Sequence, residues 1–136
     1  MRSNWPKGTD GYPYFQGTPI ADAADTFWQS VNAVRDVVNQ VSPGKWVWVT
    51  ETGWPVSGAD YGSAQASVAN AQNYWRTVAC QVKKSQFLKV QVHLLTHHQA
   101  SSQIHFFWYA YQDYNQSPSF GVIGSNGNAI YDLYAC

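Results

Sequence analysis

The apolar positions along the chain fall into two rhythms. Phe27, Val31, Val34, Val38 and Val41 recur at steps of three and four and draw one stripe along a helix. Asp22 and Asp25 lie in its first turns, where the helix dipole favours negative charge, and Ser42-Pro43-Gly44 ends it. Lys45-Trp-Val-Trp-Val-Thr50 is a dense β-branched and aromatic run that reads as a buried strand, broken beyond Glu51 by Gly53 and Pro55. A loop from Val56 to Gly62 leads to a second helix, roughly Ser63 to Cys80. Ser63 is its expected N-cap, and Val68, Ala71, Trp75 and Val78 its apolar face. Ile104 to Tyr111 repeats the strand pattern and ends in Gln112 and Asp113. Upstream, residues 10 to 17 read as a strand end running into a loop. Pro13 argues against a central sheet position, so Tyr12 and Tyr14 are expected where that strand stops. Asn126-Gly127 marks a turn in the tail.

The order strand, helix, strand, helix, strand predicts an α/β fold with a parallel sheet. In such folds ligands meet the C-terminal ends of the strands. Tyr12 with Tyr14, Glu51, and Trp108 with Asp113 fall at those ends.

Composition narrows what such a site would take. The chain has 136 residues, suited to one small domain, and its formal net charge is zero, which argues against a nucleic-acid partner. Charged residues make up 12%, about half the usual share, while aromatics reach 16%. Such a surplus of rings fills a core or offers platforms for weakly charged, flat ligands such as sugars. No apolar run approaches a membrane span. The first residues show no apolar signal core, so either the chain is cytosolic or its true start lies upstream. Cys80 and Cys136 are far apart and suit no zinc cluster. Their spacing fits one disulfide or two free thiols equally well.

Glu51 is the one glutamate; the other acids are Asp10, Asp22, Asp25, Asp36, Asp60, Asp113 and Asp132. A carboxylate after a strand and beside Trp46, Trp48 and Trp54 is costly without a partner. It either caps a turn or pairs with a lysine, or it is held for chemistry in an aromatic cleft. Trp46-Val-Trp-Val-Thr-Glu51-Thr-Gly-Trp-Pro55-Val-Ser-Gly58 resembles the active-site signature of glycoside hydrolase family 17, closest to its fungal cell-wall branch. Asp10 to Tyr14, and His105 to Asp113 with Ser117 to Gly121, resemble that branch too. The resemblance covers most of residues 10 to 81 and 100 to 136, and residues 1 to 9 depart from it.

The resemblance implies a (β/α)₈ TIM barrel, of which this chain would hold about strands six to eight. It implies a retaining enzyme that hydrolyses or transglycosylates β-1,3-glucan, without cofactor or metal, in a secreted or cell-wall parent protein. Glu51 would be the nucleophile. Tyr14 would hydrogen-bond the nucleophile or the sugar, Trp108 would floor the cleavage point, and Trp54 would line the cleft. For Tyr12, Tyr14 and Trp54 a packing role stays open. A retaining site needs a second, protonated carboxyl. The family supplies it from an Asn-Glu pair that this chain lacks, and a full barrel takes roughly 250 residues. The chain alone is therefore expected to be inactive. Two other readings stand beside this one: a non-catalytic glucan-binding remnant using Tyr14, Trp54 and Trp108, and a gene fragment with no role of its own. Cys80 and Cys136 are expected to pair, tying the last helix to the chain end.

Residues 82–99 break the pattern. They hold Lys83, Lys84 and Lys89 with His93, His97 and His98. The three histidines have metal-ligand spacing but no accompanying acid or cysteine, so no metal is expected. The segment reads instead as translated intron. Gln81-Val82 is encodable as a splice donor, Leu95-Thr96 contains a branch-site-like triplet pair, and His98-Gln99 fits an acceptor. Excision joins Gln81 to Ala100 and restores the family's short link into the last strand.

Overall fold

The computed structural model of the chain describes residues 7–82, 105–113 and 116–136. Three parallel strands form one sheet in the order β1 (Lys7–Gly11), β2 (Val47–Thr52), β3 (His105–Trp108). Helix α1 (Ala23–Val41) connects β1 to β2. Helix α2 (Val68–Tyr74) follows β2 and runs on through a π-helical turn, Trp75–Ala79. Short 3₁₀ turns at Tyr14–Gln16 and Ile20–Asp22 carry the chain from β1 to α1. The expected parallel, helix-connected order is thus present. No described helix is long and apolar enough to cross a membrane.

The core lies on one side of the sheet. Phe27 and Val31 of α1, Ala71 and Tyr74 of α2, Val78 of the π turn and Val49 of β2 are fully buried there, with Trp54 and Tyr14 from the connecting segments. Val34 of α1 is half-buried and Val41, the last residue of the helix, is 63% exposed. Among the described residues no helix covers the opposite face. Trp46 and Phe107 are 43% and 53% exposed there, and His105 stacks on Trp46 with ring centroids 5.5 Å apart. The strands are therefore one-sided rather than buried on both faces, because the described helices cover one face alone.

Two element boundaries differ from the sequence expectation. Helix α2 is capped by Ser67, whose Oγ accepts from the Asn70 N–H at 3.1 Å. Ser63 instead donates its N–H to the Gly17 carbonyl. Asp60 accepts from the Ala66 N–H at 3.0 Å, and Tyr61 bridges Ala64, so the loop stays extended up to Ser67. Val68, expected on the apolar face, is 44% exposed in the first turn. Strand β3 stops at Trp108 rather than Tyr111: the Tyr109 N–H still bonds the Thr52 carbonyl at the end of β2, and from Ala110 on the backbone bonds the tail instead, at the Phe120 carbonyl.

The tail returns across the helices. Gln72 exchanges two hydrogen bonds with the Asp132 backbone, at 2.9 and 2.6 Å. Cys80 and Cys136 form a disulfide with Cα atoms 5.4 Å apart. The turn at Asn126-Gly127 forms as expected, with Gly127 at φ 78°. Val82 is buried at the end of the second helical stretch. The rest of the 82–99 segment, with His93, His97 and His98, lies outside the described residues.

Candidate active site

The exit of β2 carries one residue more than either neighbour. Toward β1 the register runs Thr9↔Val49 and then Asp10↔Glu51, skipping Thr50. Toward β3, Val49↔Phe106 is followed by Thr52↔Trp108. An unbroken strand alternates its side chains between faces, which would turn Glu51 toward the helices. The bulge re-phases the strand. Val47, Val49 and Thr52 are buried on the helix side, while Thr50 and Glu51, consecutive in sequence, are both exposed on the open side. Thr52 then anchors the strand end. Its Oγ1 donates to the Gly11 carbonyl at 2.7 Å and lies 2.9 Å from the Tyr74 hydroxyl. With the threonine proton committed to Gly11, Tyr74 is the donor to Thr52.

Tyr12 leaves the end of β1 beside this carboxylate, and its hydroxyl donates to Glu51 Oε2 at 3.1 Å. Burial, then the hydrogen bond to Glu51, then the charges of Glu51, Tyr109 and Asp10 raise the Tyr12 hydroxyl far above its ordinary value. Tyr12 therefore stays a neutral donor to the carboxylate throughout the working range. Its ring meets Phe15, Phe120 and Tyr109 edge-on, at 5.5, 5.8 and 6.3 Å between centroids. These groups and the Gln116–Pro118 loop line a pocket of about 320 Å³ with Glu51 in its wall. Phe15 is 46% exposed and offers its ring to the opening. Gly53 is required next to Glu51, because a Cβ there would run into the Tyr109 carbonyl.

Asp113, the nearest acid beyond β3, is committed to this loop. Oδ1 accepts from Ser119 Oγ at 2.8 Å, and Oδ2 accepts from the Phe120 N–H. Asp10 accepts from Thr50 Oγ1 at 2.6 Å. Among the described residues no group of three or more metal-ligating side chains comes together.

The structure brings together Tyr12 and Glu51 and separates the other expected contacts. Tyr14 is 2% exposed and donates its hydroxyl to the Ala59 carbonyl, so it is Tyr12, two residues earlier, that meets the carboxylate. Trp54 has no exposed surface. Its indole N–H donates to the Gln65 carbonyl at 2.9 Å, and it packs on Tyr14 and Tyr74. It is a core residue rather than a cleft wall. Trp108 lies opposite Thr52, on the helix side. Its N–H donates to Tyr131 at 2.8 Å and its ring meets Tyr74 and Trp75. Phe15, Tyr109 and Phe120, which line the pocket, were not anticipated. Period-two alternation from His105 through Phe107 to Tyr109 was the available signal for one of them.

Buried tyrosines give the fold an alkaline limit. Burial pushes the Tyr131 hydroxyl up to about 12, against the opposing hydrogen bond from Trp108, and raises Tyr74 as well. An unfolded tyrosine ionises near 10. Above that pH the unfolded chain releases protons that the folded chain keeps, so stability falls as pH rises. Melting temperature is expected to decline from about pH 10 toward pH 12, and less steeply in Tyr131→Phe. An identical decline in the variant would show that Tyr131 does not carry it.

Known proteins resemble this chain in sequence and in fold. Residues 8–93 match the BtgE/BtgC glycoside hydrolase domain family. The chain is 40% identical over 134 residues to an Aspergillus oryzae protein named "Probable glucan endo-1,3-beta-glucosidase eglC", a match covering 93% of this chain and 24% of that protein. Among solved structures it is similar to the glycoside hydrolase family 17 beta-1,3-glucanosyltransferase from Rhizomucor miehei. That likeness has a TM-score of 0.67 and 29% identity, and covers 95% of this chain and 43% of that one. An active-site mutant of the Rhizomucor enzyme in complex with laminaritriose is similar at a TM-score of 0.66 and 27% identity. The chain thus spans about a quarter of the length of the curated relatives it matches. With a family match over most of its described sheet and helices, and with the same fold in the solved enzymes, the chain belongs to the BtgE/BtgC glycoside hydrolase domains of glycoside hydrolase family 17.

Proposed function

We propose that Glu51 is the nucleophile of a retaining glycosidase acting on β-1,3-glucan, and that β1, β2 and β3 are the sixth, seventh and eighth strands of the parent barrel. One observation carries this reading. The only glutamate in the chain is turned by a bulge onto the open face at a strand's C-terminal end, where a neutral tyrosine holds it in the wall of an aromatic pocket. The Glu51 carboxylate attacks the anomeric carbon and the glycosidic bond breaks, giving a glycosyl ester. Water or a sugar hydroxyl then releases the sugar with net retention. Tyr12 orients the attacking oxygen through its hydrogen bond. Phe15 and Tyr109 flank the sugar with ring faces and edges.

The leaving oxygen needs a proton from a second carboxyl about 5 to 5.5 Å from the nucleophile. No second glutamate exists in the chain, and Asp113 already binds the Ser119 and Phe120 groups. The acid therefore comes from the remainder of the parent enzyme, a secreted or cell-wall protein in this reading. Binding without turnover through Tyr14, Trp54 and Trp108 loses support, since Tyr14 and Trp54 are buried in the core and Trp108 faces the helices.

The test separates attack from proton donation. A 2-deoxy-2-fluoro-laminaribiosyl fluoride carries a leaving group that needs no acid. We expect it to form one adduct, on Glu51, and none in Glu51→Gln, while neither chain releases reducing sugar from laminari-oligosaccharides. An adduct on another residue, or none in the unaltered chain, would overturn the assignment.

For residues 82–99 we propose retained intron sequence, because Gln81-Val82 and His98-Gln99 at its ends are encodable by donor-like and acceptor-like codons. Sequencing of spliced message decides it; a transcript population that always keeps these codons removes the idea.

A further inference from the structure

We propose that Gly8, Asp10 and Tyr12, alternate residues of β1 and its exit, form a lock that holds the β2 bulge and thereby positions Glu51; the functional weight of this lock rests on reading Glu51 as the nucleophile. Alternation puts these three residues on the same face of β1, the open one. Each of them meets the bulge differently. Gly8 supplies space: a Cβ on it would stand 2.7 Å from Thr50 Cγ2, so the threonine lies across β1 where a side chain would otherwise be. Asp10 supplies the tether, accepting from Thr50 Oγ1 at 2.6 Å while its Cα pairs with that of Glu51. Tyr12 closes the row on the Glu51 carboxylate at 3.1 Å.

The physical need for such a lock follows from the bulge itself. An extra residue leaves the ladder unpaired at that point, so the backbone hydrogen bonds that fix an ordinary strand are interrupted beside Glu51. Without another restraint, the bulge can close, which leaves Thr50 on the open face and turns Glu51 toward the helices. The Thr50 hydroxyl bound to Asp10, with the threonine lying across Gly8, fixes where the extra residue sits along β1 and so opposes that closure, and the charged acceptor makes the bond one of the stronger kind. Thr50 and Asp10 are both exposed, so neither is needed to fill the core. Their pairing is between strands and far apart in sequence, which is the arrangement expected of a positioning contact rather than a local turn. Asp10 is in this account a positioning residue: it acts on the sugar through Thr50 and Glu51.

Because the chain has a single glutamate, glutamate labelled with carbon-13 at its side-chain carboxyl gives one resonance that reports Glu51 alone. In the full chain, Tyr12→Phe is expected to shift that resonance by removing the hydroxyl contact. Asp10→Ala and Thr50→Val are expected to shift it in the same direction, with circular dichroism unchanged. Asp10→Asn, which keeps an acceptor for the threonine, should restore most of the native position. Gly8→Ala gives an independent arm, since it displaces Thr50 without removing any hydrogen-bonding group, and should reproduce the Asp10→Ala shift. A Glu51 resonance that moves in Tyr12→Phe but stays fixed in Asp10→Ala, Thr50→Val and Gly8→Ala overturns the lock. So does one that ignores Tyr12→Phe. Adduct formation by the fluoro sugar is expected to slow about a hundredfold in Asp10→Ala, the scale on which a small misplacement acts. If the unaltered chain forms no adduct but the resonances move as expected, the lock stands and the nucleophile assignment falls.

Discussion

Trp54→Ala is expected to remove about 3 to 5 kcal/mol of folding stability. The indole has no exposed surface, and its loss would leave a large cavity between Tyr14 and Tyr74 and remove one of the two hydrogen bonds on the Gln65 carbonyl, which keeps the Asn70 side-chain amide. Denaturant unfolding of the full chain measures the effect. The midpoint should fall steeply while the slope stays constant, as for a change in native packing alone. A ring that lined a sugar cleft would behave differently: truncation would cost under about 1 kcal/mol of stability and would weaken laminaritriose binding in the folded protein. That second pattern would return Trp54 to the cleft and contradict its burial.

Opening the disulfide is the other large effect. Cys80 and Cys136 are separated by 56 residues, and closing a loop of that length restricts the unfolded chain by about 4 kcal/mol in the chain-entropy account. Cys80→Ser with Cys136→Ser should lower stability by an amount of that order. The loss should resemble the shift seen on reduction of the unaltered chain. The bridge is not the tail's only tie, since Gln72 holds the Asp132 backbone and Tyr131 accepts from Trp108. The tail is therefore expected to stay docked in the double variant, with Tyr131 still protected from iodination. Full exposure of Tyr131 in that variant would mean that the bridge, rather than these contacts, seats the tail.

Most of the architecture was legible in the sequence because it is local. The stripe from Phe27 to Val38 and the β-branched run after Lys45 each specify an element by their own periodicity, and the alternation of elements implies the parallel sheet. Glu51 stood out as a lone glutamate in an apolar run. What the sequence left hidden depends on distant partners. Val-Trp-Val-Thr-Glu-Thr accepts a bulge or a regular strand with equal ease. In the lock we propose, the choice falls to Gly8 and Asp10, some forty residues away along the chain. The aromatics were ambiguous for a related reason. Tyrosine and tryptophan carry a large apolar body with one polar atom, which suits a core or a cleft. Tyr14 and Trp54 found carbonyl partners inside the fold, at Ala59 and Gln65, and so became core. Trp108 was placed by resemblance, and it was the register opposite Thr52 that turned it toward the helices. Ser63 and Ser67 are equivalent caps by composition. The bond from Ala66 to Asp60 selects the later one.

The covalent ring closed by Cys80 and Cys136 has a consequence for the history of the gene. Residues 82–99 lie wholly inside that ring, downstream of one cysteine and upstream of the other. The entropy of closing a loop grows only with the logarithm of its length. Lengthening this ring by the whole segment therefore changes the closure term by only about 0.3 kcal/mol. A chain that translated the segment and one that spliced it out would differ little in this respect. As far as ring closure goes, such an insertion meets weak thermodynamic selection, so the ring itself holds no record of its origin, whereas the length of the message does.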